Sequence, residues 1–167
     1  MSPPLPRGRC PVCGRDVALR KNGIIREHRA PGETRVCRGA GLSTDRAMKV
    51  YRGRRLPGGS VSVTVERGEK GTTEFLRQVV VHSPTGFEWG YGGSGPADLA
   101  LSILADLFGE RQRSRPLYTD RGVERAWRLH DAFKWDWVAR VSQGATEWAV
   151  GELFIRAWVA NQEAMKS

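Results

Sequence analysis

The chain has 167 residues, 40% of them apolar, and a formal net charge of +9. This content supports a folded core, and the lack of an apolar run of about 18 residues predicts no membrane-spanning helix. The charge is lopsided: residues 1–59 hold 14 Lys/Arg against 4 Asp/Glu, whereas residues 60–167 hold 13 against 14. A basic N-terminal module followed by a nearly neutral domain is therefore expected. All 3 cysteines lie in the first 37 residues. They are too few for a disulfide framework and point to a reducing, cytoplasmic setting and a metal site. The first residues, MSPPLPRGR, carry charge but no apolar core, which argues against a secretory signal.

In chain order, residues 1–9 are Pro/Arg-rich and read as a disordered tail. Cys10-Pro11-Val12-Cys13-Gly14 follows, a C-x2-C knuckle whose two thiolates can reach one tetrahedral ion, with Gly14 easing the turn. His28 and Cys37 extend this to C-x2-C-x14-H-x8-C, a Cys3His set for one structural Zn2+ in a module (residues 10–44) too small to fold on its core alone. Between the halves, Asp16–Arg20 and Ile24–His28 read as two strands joined at Asn22-Gly23, a strong hairpin signal. Arg15, Arg20, Lys21, Arg26, Arg29, Arg35 and Arg38 crowd this module. They read either as a DNA- or RNA-backbone contact surface or as a solvated basic face. Residues 39–44 read as an exit linker.

The second domain, residues 48–167, opens with a strand at 48–52. Ser60–Glu66 alternates Val61, Val63 and Val65 with polar residues, the period of a half-buried strand. Phe75 and Leu76 read as a core plug, and Val79–His82 and Phe87–Trp89 as further short strands. A Gly-rich loop then feeds a helix from Pro96 to Phe108. Leu99, Ile103 and Leu107 mark its apolar face, Asp98 sits near its positive end, and Gly109 stops it. Residues 121–141 read as a second helix, and Thr146 as the cap of a last helix carrying Val150, Phe154 and Trp158. Strands before helices predict an α+β fold: a small antiparallel sheet of three to four strands backed by about three helices, with a zinc-stabilised β-hairpin module in front.

The Gly-rich loop has two readings. Its glycines either serve a tight turn beside Trp89 and Tyr91 or expose N–H groups to a phosphate-containing ligand at the helix N-terminus. In the second reading Trp89, Tyr91, Gly92, Gly93, Ser94 and Gly95 form the site, with Tyr51, Arg52 and Arg54 from the first strand completing it. The loop fits neither a P-loop nor a dinucleotide fingerprint. His82 and His130 stand apart in sequence, no Ser/His/Asp or Cys/His set is legible, and no catalytic residue is predicted.

Residues 10–41 resemble the small zinc-binding segments of uncharacterised phage and actinobacterial proteins, in which C-P-x-C-G precedes a basic hairpin, a His and C-x-G-x-G. The resemblance places Gly39 and Gly41 as closing glycines, with Ala40 where a serine is often found. From Val50 onward the chain resembles an uncharacterised domain family of phages and bacteria. The shared signature is WGYGGSGPADLALSIL, Trp89 to Leu104, with a leading Tyr51-x-Gly53-Arg54. This resemblance implies a bacterial or phage-infected host cell and no particular chemistry. Three functions fit: an accessory zinc protein that binds nucleic acid through its basic module, a binder of a small phosphate-containing ligand, or a module that engages a host protein.

Overall fold

A computed structural model describes residues 5–10, 12–13, 15–20, 23–42, 48–67, 72–112 and 121–165. Expected features at Gly14, Lys21, Asn22 and 43–44 lie outside these residues. The chain divides into two compact units, Met1–Lys49 with Arg67–Thr72, and Val50–Glu66 with Thr73–Ser167.

In the first unit, β1 (Arg7–Arg9) pairs antiparallel with β2 (Asp16–Ala18), Gly8 opposite Val17. Residues 7–9 are thus a strand where composition predicts a disordered tail. Arg7 explains it: its guanidinium bonds the Asp16 carboxylate at 2.7 Å and the Asp16 carbonyl at 3.0 Å. The expected hairpin is present in reduced form. After β2 the described return carries a bridge from Leu19 to Ile25, with Gly23 at φ 78 in the turn. Val17, Leu19 and Ile25 form a small core with Cys10 and Cys37.

The second unit contains a four-stranded antiparallel sheet ordered β5-β4-β3-β6, from β3 (Lys49–Arg55), β4 (Val61–Arg67), β5 (Thr72–Phe75) and β6 (Glu147–Gly151). With α1 (Ser94–Phe108), α2 (Glu124–Asp136) and α3 (Glu152–Ala164), the architecture is the expected α+β. Val63 and Val65 turn into the core as the alternation requires. Leu76 is buried, whereas Phe75 is 81% exposed, so only half of the expected plug is in the core.

The predicted strands Val79–His82 and Phe87–Trp89 are irregular. Residues 79–83 are extended, but side chains rather than a neighbouring strand satisfy their backbone. Ser102 accepts from the Val79 N–H, Gln112 pairs with both polar groups of Val80, and Asp98 accepts from the N–H groups of Val81, His82 and Ser83. Asp98 is therefore a wholly buried anchor for this segment, not an exposed partner of the helix dipole.

Helix α1 begins at Ser94, two residues before Pro96, which occupies a position whose N–H would have no helical acceptor. It is buried on nearly every side, not along one stripe. Gly109, at φ 71, ends it as expected. Helix α2 is shorter than predicted, because Trp137 departs from helical φ and a 3-10 turn, Val138–Arg140, follows. Its N-cap is Val123, whose side chain has no oxygen to offer. Glu110 supplies the cap from the far side of the loop, accepting from the N–H groups of Arg125 (3.0 Å) and Ala126 (2.9 Å). Strand β6 occupies the stretch read as the start of the last helix, and α3 starts only at Glu152.

Candidate metal centre

Two backbone hydrogen bonds assemble the Cys/His set in the first unit. The Cys10 N–H donates to the Arg15 carbonyl at 2.8 Å, closing the knuckle that contains Cys13. The Cys37 N–H donates to the His28 carbonyl at 2.8 Å, and a bridge between Arg29 and Val36 lies just inside it. The wide H-x8-C spacing is thus one antiparallel excursion, with the two ligands facing each other at its base.

The four ligand atoms lie within 4.8 Å of one another, with Cys13 Sγ 3.2 Å from His28 Nε2 and Cys10 Sγ 4.0 Å from Cys37 Sγ. Tetrahedral coordination at thiolate distances of about 2.3 Å separates neighbouring ligand atoms by roughly 3.4–3.8 Å. This group can therefore hold a metal ion. The imidazole is pre-set for it: His28 Nδ1 faces the Arg26 carbonyl at 3.0 Å. A carbonyl can only accept, so Nδ1 carries a proton, and Nε2, the ligand atom of the neutral ring, faces the Cys13 sulfur.

The backbone N–H of Arg15 holds the Cys13 thiol below its ordinary pKa. At Cys37 the Gly39 N–H pulls the same way, but burial and the neighbouring Cys13 and Cys10 sulfurs outweigh it and raise that thiol. Sulfurs gathered this closely resist joint ionisation, and a divalent cation removes the penalty. Gly39 and Gly41 belong to the site rather than to a linker. A Cβ on Gly39 would collide with Cys10 Sγ, and Gly41 sits at φ 82 with its N–H on the Ile25 carbonyl.

The described basic residues all lie on the surface of this unit. Arg15, Arg26 and Arg29 line a hollow of about 630 Å³ together with Arg7, Asp16 and His28. Arg20, Arg35 and Arg38 lie outside it. Among the described residues, Arg20, Arg26, Arg29, Arg35 and Arg38 are exposed and make no ion pair, whereas Arg7 is paired with Asp16. Lys21 lies outside the described residues.

The residues predicted to surround the Gly-rich loop are not gathered at one place. Tyr51 is fully buried, and its hydroxyl donates to Asp106 at 2.9 Å, near the opposite end of α1 from the loop. Arg52 and Arg54 lie on the outer face of the sheet, beside Glu66 and Glu147. Trp89 is also fully buried, with its indole N–H on the Ala145 carbonyl. The glycines make room for the protein's own side chains. A Cβ on Gly92 would strike Trp135, one on Gly93 would strike the Tyr91 ring, and one on Gly95 would meet Glu88 Cβ at 2.9 Å. Gly93 has φ −94, so no left-handed backbone explains it. Tyr91, Ser94 and Gly95 do line a hollow of about 330 Å³. The Glu88 carboxylate shares that wall and is clamped by both guanidinium arms of Arg55 at 3.0 Å. Within the leading Tyr-x-Gly-Arg motif, Gly53 lacks the Cβ that would strike Trp148, its register partner on β6.

One grouping escapes sequence reasoning. His82, Asp98 and the Trp127/His130 pair of α2, three distant places in the chain, meet in the second unit. No local motif announces it, since only the packing of residues 79–83 on α1 and α2 brings them together.

The model of a family of unknown function (DUF6166) matches residues 51–161, which covers the second unit's core and leaves out the four Cys/His ligands. No curated protein and no solved structure matches the chain.

Proposed function

From the premise that the chain belongs to the family of unknown function DUF6166, which carries no assigned chemistry, we propose a function from the first unit's geometry. Cys10, Cys13, His28 and Cys37 bind one Zn2+ as a structural ion. Three thiolates and one imidazole suit zinc, and four protein ligands leave no position for a reacting water. The ion holds the Arg15, Arg26 and Arg29 hollow in shape, and that surface binds the phosphate backbone of a nucleic acid.

The observation that carries this reading is the state of the arginines. Arg20, Arg26, Arg29, Arg35 and Arg38 are exposed without an acidic partner among the described residues, on a unit folded around a metal-ligand set. Guanidinium groups left free in this way can pair with phosphate oxygens and release counterions. The contacts are to backbone, so affinity should be insensitive to sequence.

Fluorescence anisotropy with a labelled DNA or RNA duplex, titrated across salt concentrations, tests the proposal. Binding should weaken steeply with salt, and each of Arg26→Ala and Arg29→Ala should flatten the log–log slope by about 1. Absence of binding at low salt, or slopes unchanged in both variants, would remove the nucleic-acid part. Metal analysis of the purified chain tests the zinc part separately, with one equivalent expected.

A further inference from the structure

The chain's 3 histidines share one arrangement. His28 Nδ1 faces the Arg26 carbonyl, His82 Nδ1 faces Asp98 Oδ1 at 2.8 Å, and His130 Nδ1 faces the Trp127 carbonyl at 2.6 Å. In each case an oxygen acceptor holds a proton on Nδ1, so that the neutral ring carries its lone pair on Nε2. Carboxylates and backbone carbonyls are the usual outer partners of metal-ligating histidines. At His28 the Nε2 meets the cysteine cluster. At His82 and His130 it meets no hydrogen-bond partner among the described residues.

These two rings are neighbours. Their centroids are 5.2 Å apart, with planes tilted by 33°. Two imidazoles bound through nitrogen to one ion at about 2.0–2.1 Å place their centroids roughly 5 Å apart. Trp127 holds the spacing, stacking on His82 at 5.4 Å and on His130 at 4.6 Å. Asp98 holds His82 twice, accepting from its backbone N–H at 2.9 Å as well as from its ring. His82 keeps 30% of its side chain exposed, which leaves a route for an ion. Burial lowers the His130 pKa and so favours the neutral ring that a metal requires. The other charged pair at this place is already satisfied internally: Lys134 donates to Asp131 at 2.6 Å.

We propose that His82 and His130 form a second metal site, independent of the cysteine cluster, that binds a divalent ion of the imidazole-favouring class (Zn2+, Ni2+ or Cu2+) through both Nε2 atoms. With two protein ligands the shell is open, and water or an oxygen of a bound molecule completes it. Asp98 is a positioning residue for His82.

The test is isothermal calorimetry of full-length, zinc-loaded protein titrated with Ni2+ alone. One saturable Ni2+ equivalent is expected, weakened at least tenfold in His82→Gln and in His130→Gln, with the zinc content of the cysteine cluster unchanged. Proton NMR provides a second reading if His130→Gln fails to fold. Added Zn2+ should shift the imidazole Hε1 signals of both His82 and His130 in the unaltered protein. Heat that never saturates, binding unaffected by His82→Gln, or imidazole signals that ignore Zn2+ would overturn the proposal.

Discussion

In the first unit the buried apolar residues are Val17, Leu19 and Ile25, and the same core holds Cys10 and Cys37, two of the four candidate ligands. In the second unit Trp89, Tyr51, Phe133 and the leucines of α1 fill a core to which no metal-ligand cysteine contributes. On the proposed reading, one unit depends on a coordination sphere for cohesion that the other draws from apolar area. The contrast shows how little of a family match speaks for a whole chain, because the matched residues 51–161 leave out all four candidate ligands.

The comparison breaks most visibly at Cys37. Structural zinc contributes about 10–16 kcal/mol to the folding of small finger modules. Cys37→Ser should therefore abolish metal binding at the cysteine cluster and leave residues 10–42 open to protease, while the second unit's thermal transition persists. Metal analysis and limited proteolysis read the two halves; a protease-resistant first unit without metal would contradict the contrast.

The reverse experiment is Trp89→Ala. Removing the largest fully buried side chain should cost about 3–5 kcal/mol, seen as a lower urea midpoint of the second unit. Metal content should not change.

Asp98→Ala tests whether polar groups also hold the second unit. It strands the N–H groups of Val81, His82 and Ser83, at about 1–3 kcal/mol each when buried. Because solvent can reach part of this segment, the expected total is about 3 kcal/mol, measured by urea titration.

The smallest effect concerns Glu88. The hydrogen bonds from Arg55 hold its carboxyl below the usual range, against the opposing effect of burial. A carboxyl whose pKa is lower folded than unfolded stabilises the fold above its unfolded value, and that contribution fades as pH falls through the folded value. The second unit should thus lose stability on acidification below the ordinary carboxylate range. Glu88→Gln should flatten that part of the stability–pH curve, as read by denaturant titrations at stepped pH.

The Cys/His set was legible because ligand chemistry demands particular residue types, whatever lies between them. Helix α1 was legible because Leu99, Ile103 and Leu107 keep helical spacing and Gly109 marks the stop. Strand β6 was not, since Trp148 and Val150 are too few to display a period and the strand exists through its pairing with β3. Val79–His82 misled for the opposite reason. Its residues suit an extended backbone, but Ser102, Gln112 and Asp98 take the hydrogen bonds a strand would give a neighbour. Arg52 and Arg54 share a strand with Tyr51, yet the two-residue alternation sends them to the other face. The His82–His130 pair depends on tertiary contact alone.

Helix α1 has one further consequence, for the timescale on which the second unit opens. From Gly95 to Ala105 every residue is buried, and Gly109 ties off the last turn. Amides so enclosed meet solvent only when the surrounding layers separate, so no local fraying exposes its middle. Deuterium uptake at Leu101–Leu104 should therefore be the slowest in the chain, and under fast-reclosing conditions its rate measures the global unfolding free energy of this unit. The exposed C-terminal end of α3 should exchange orders of magnitude sooner.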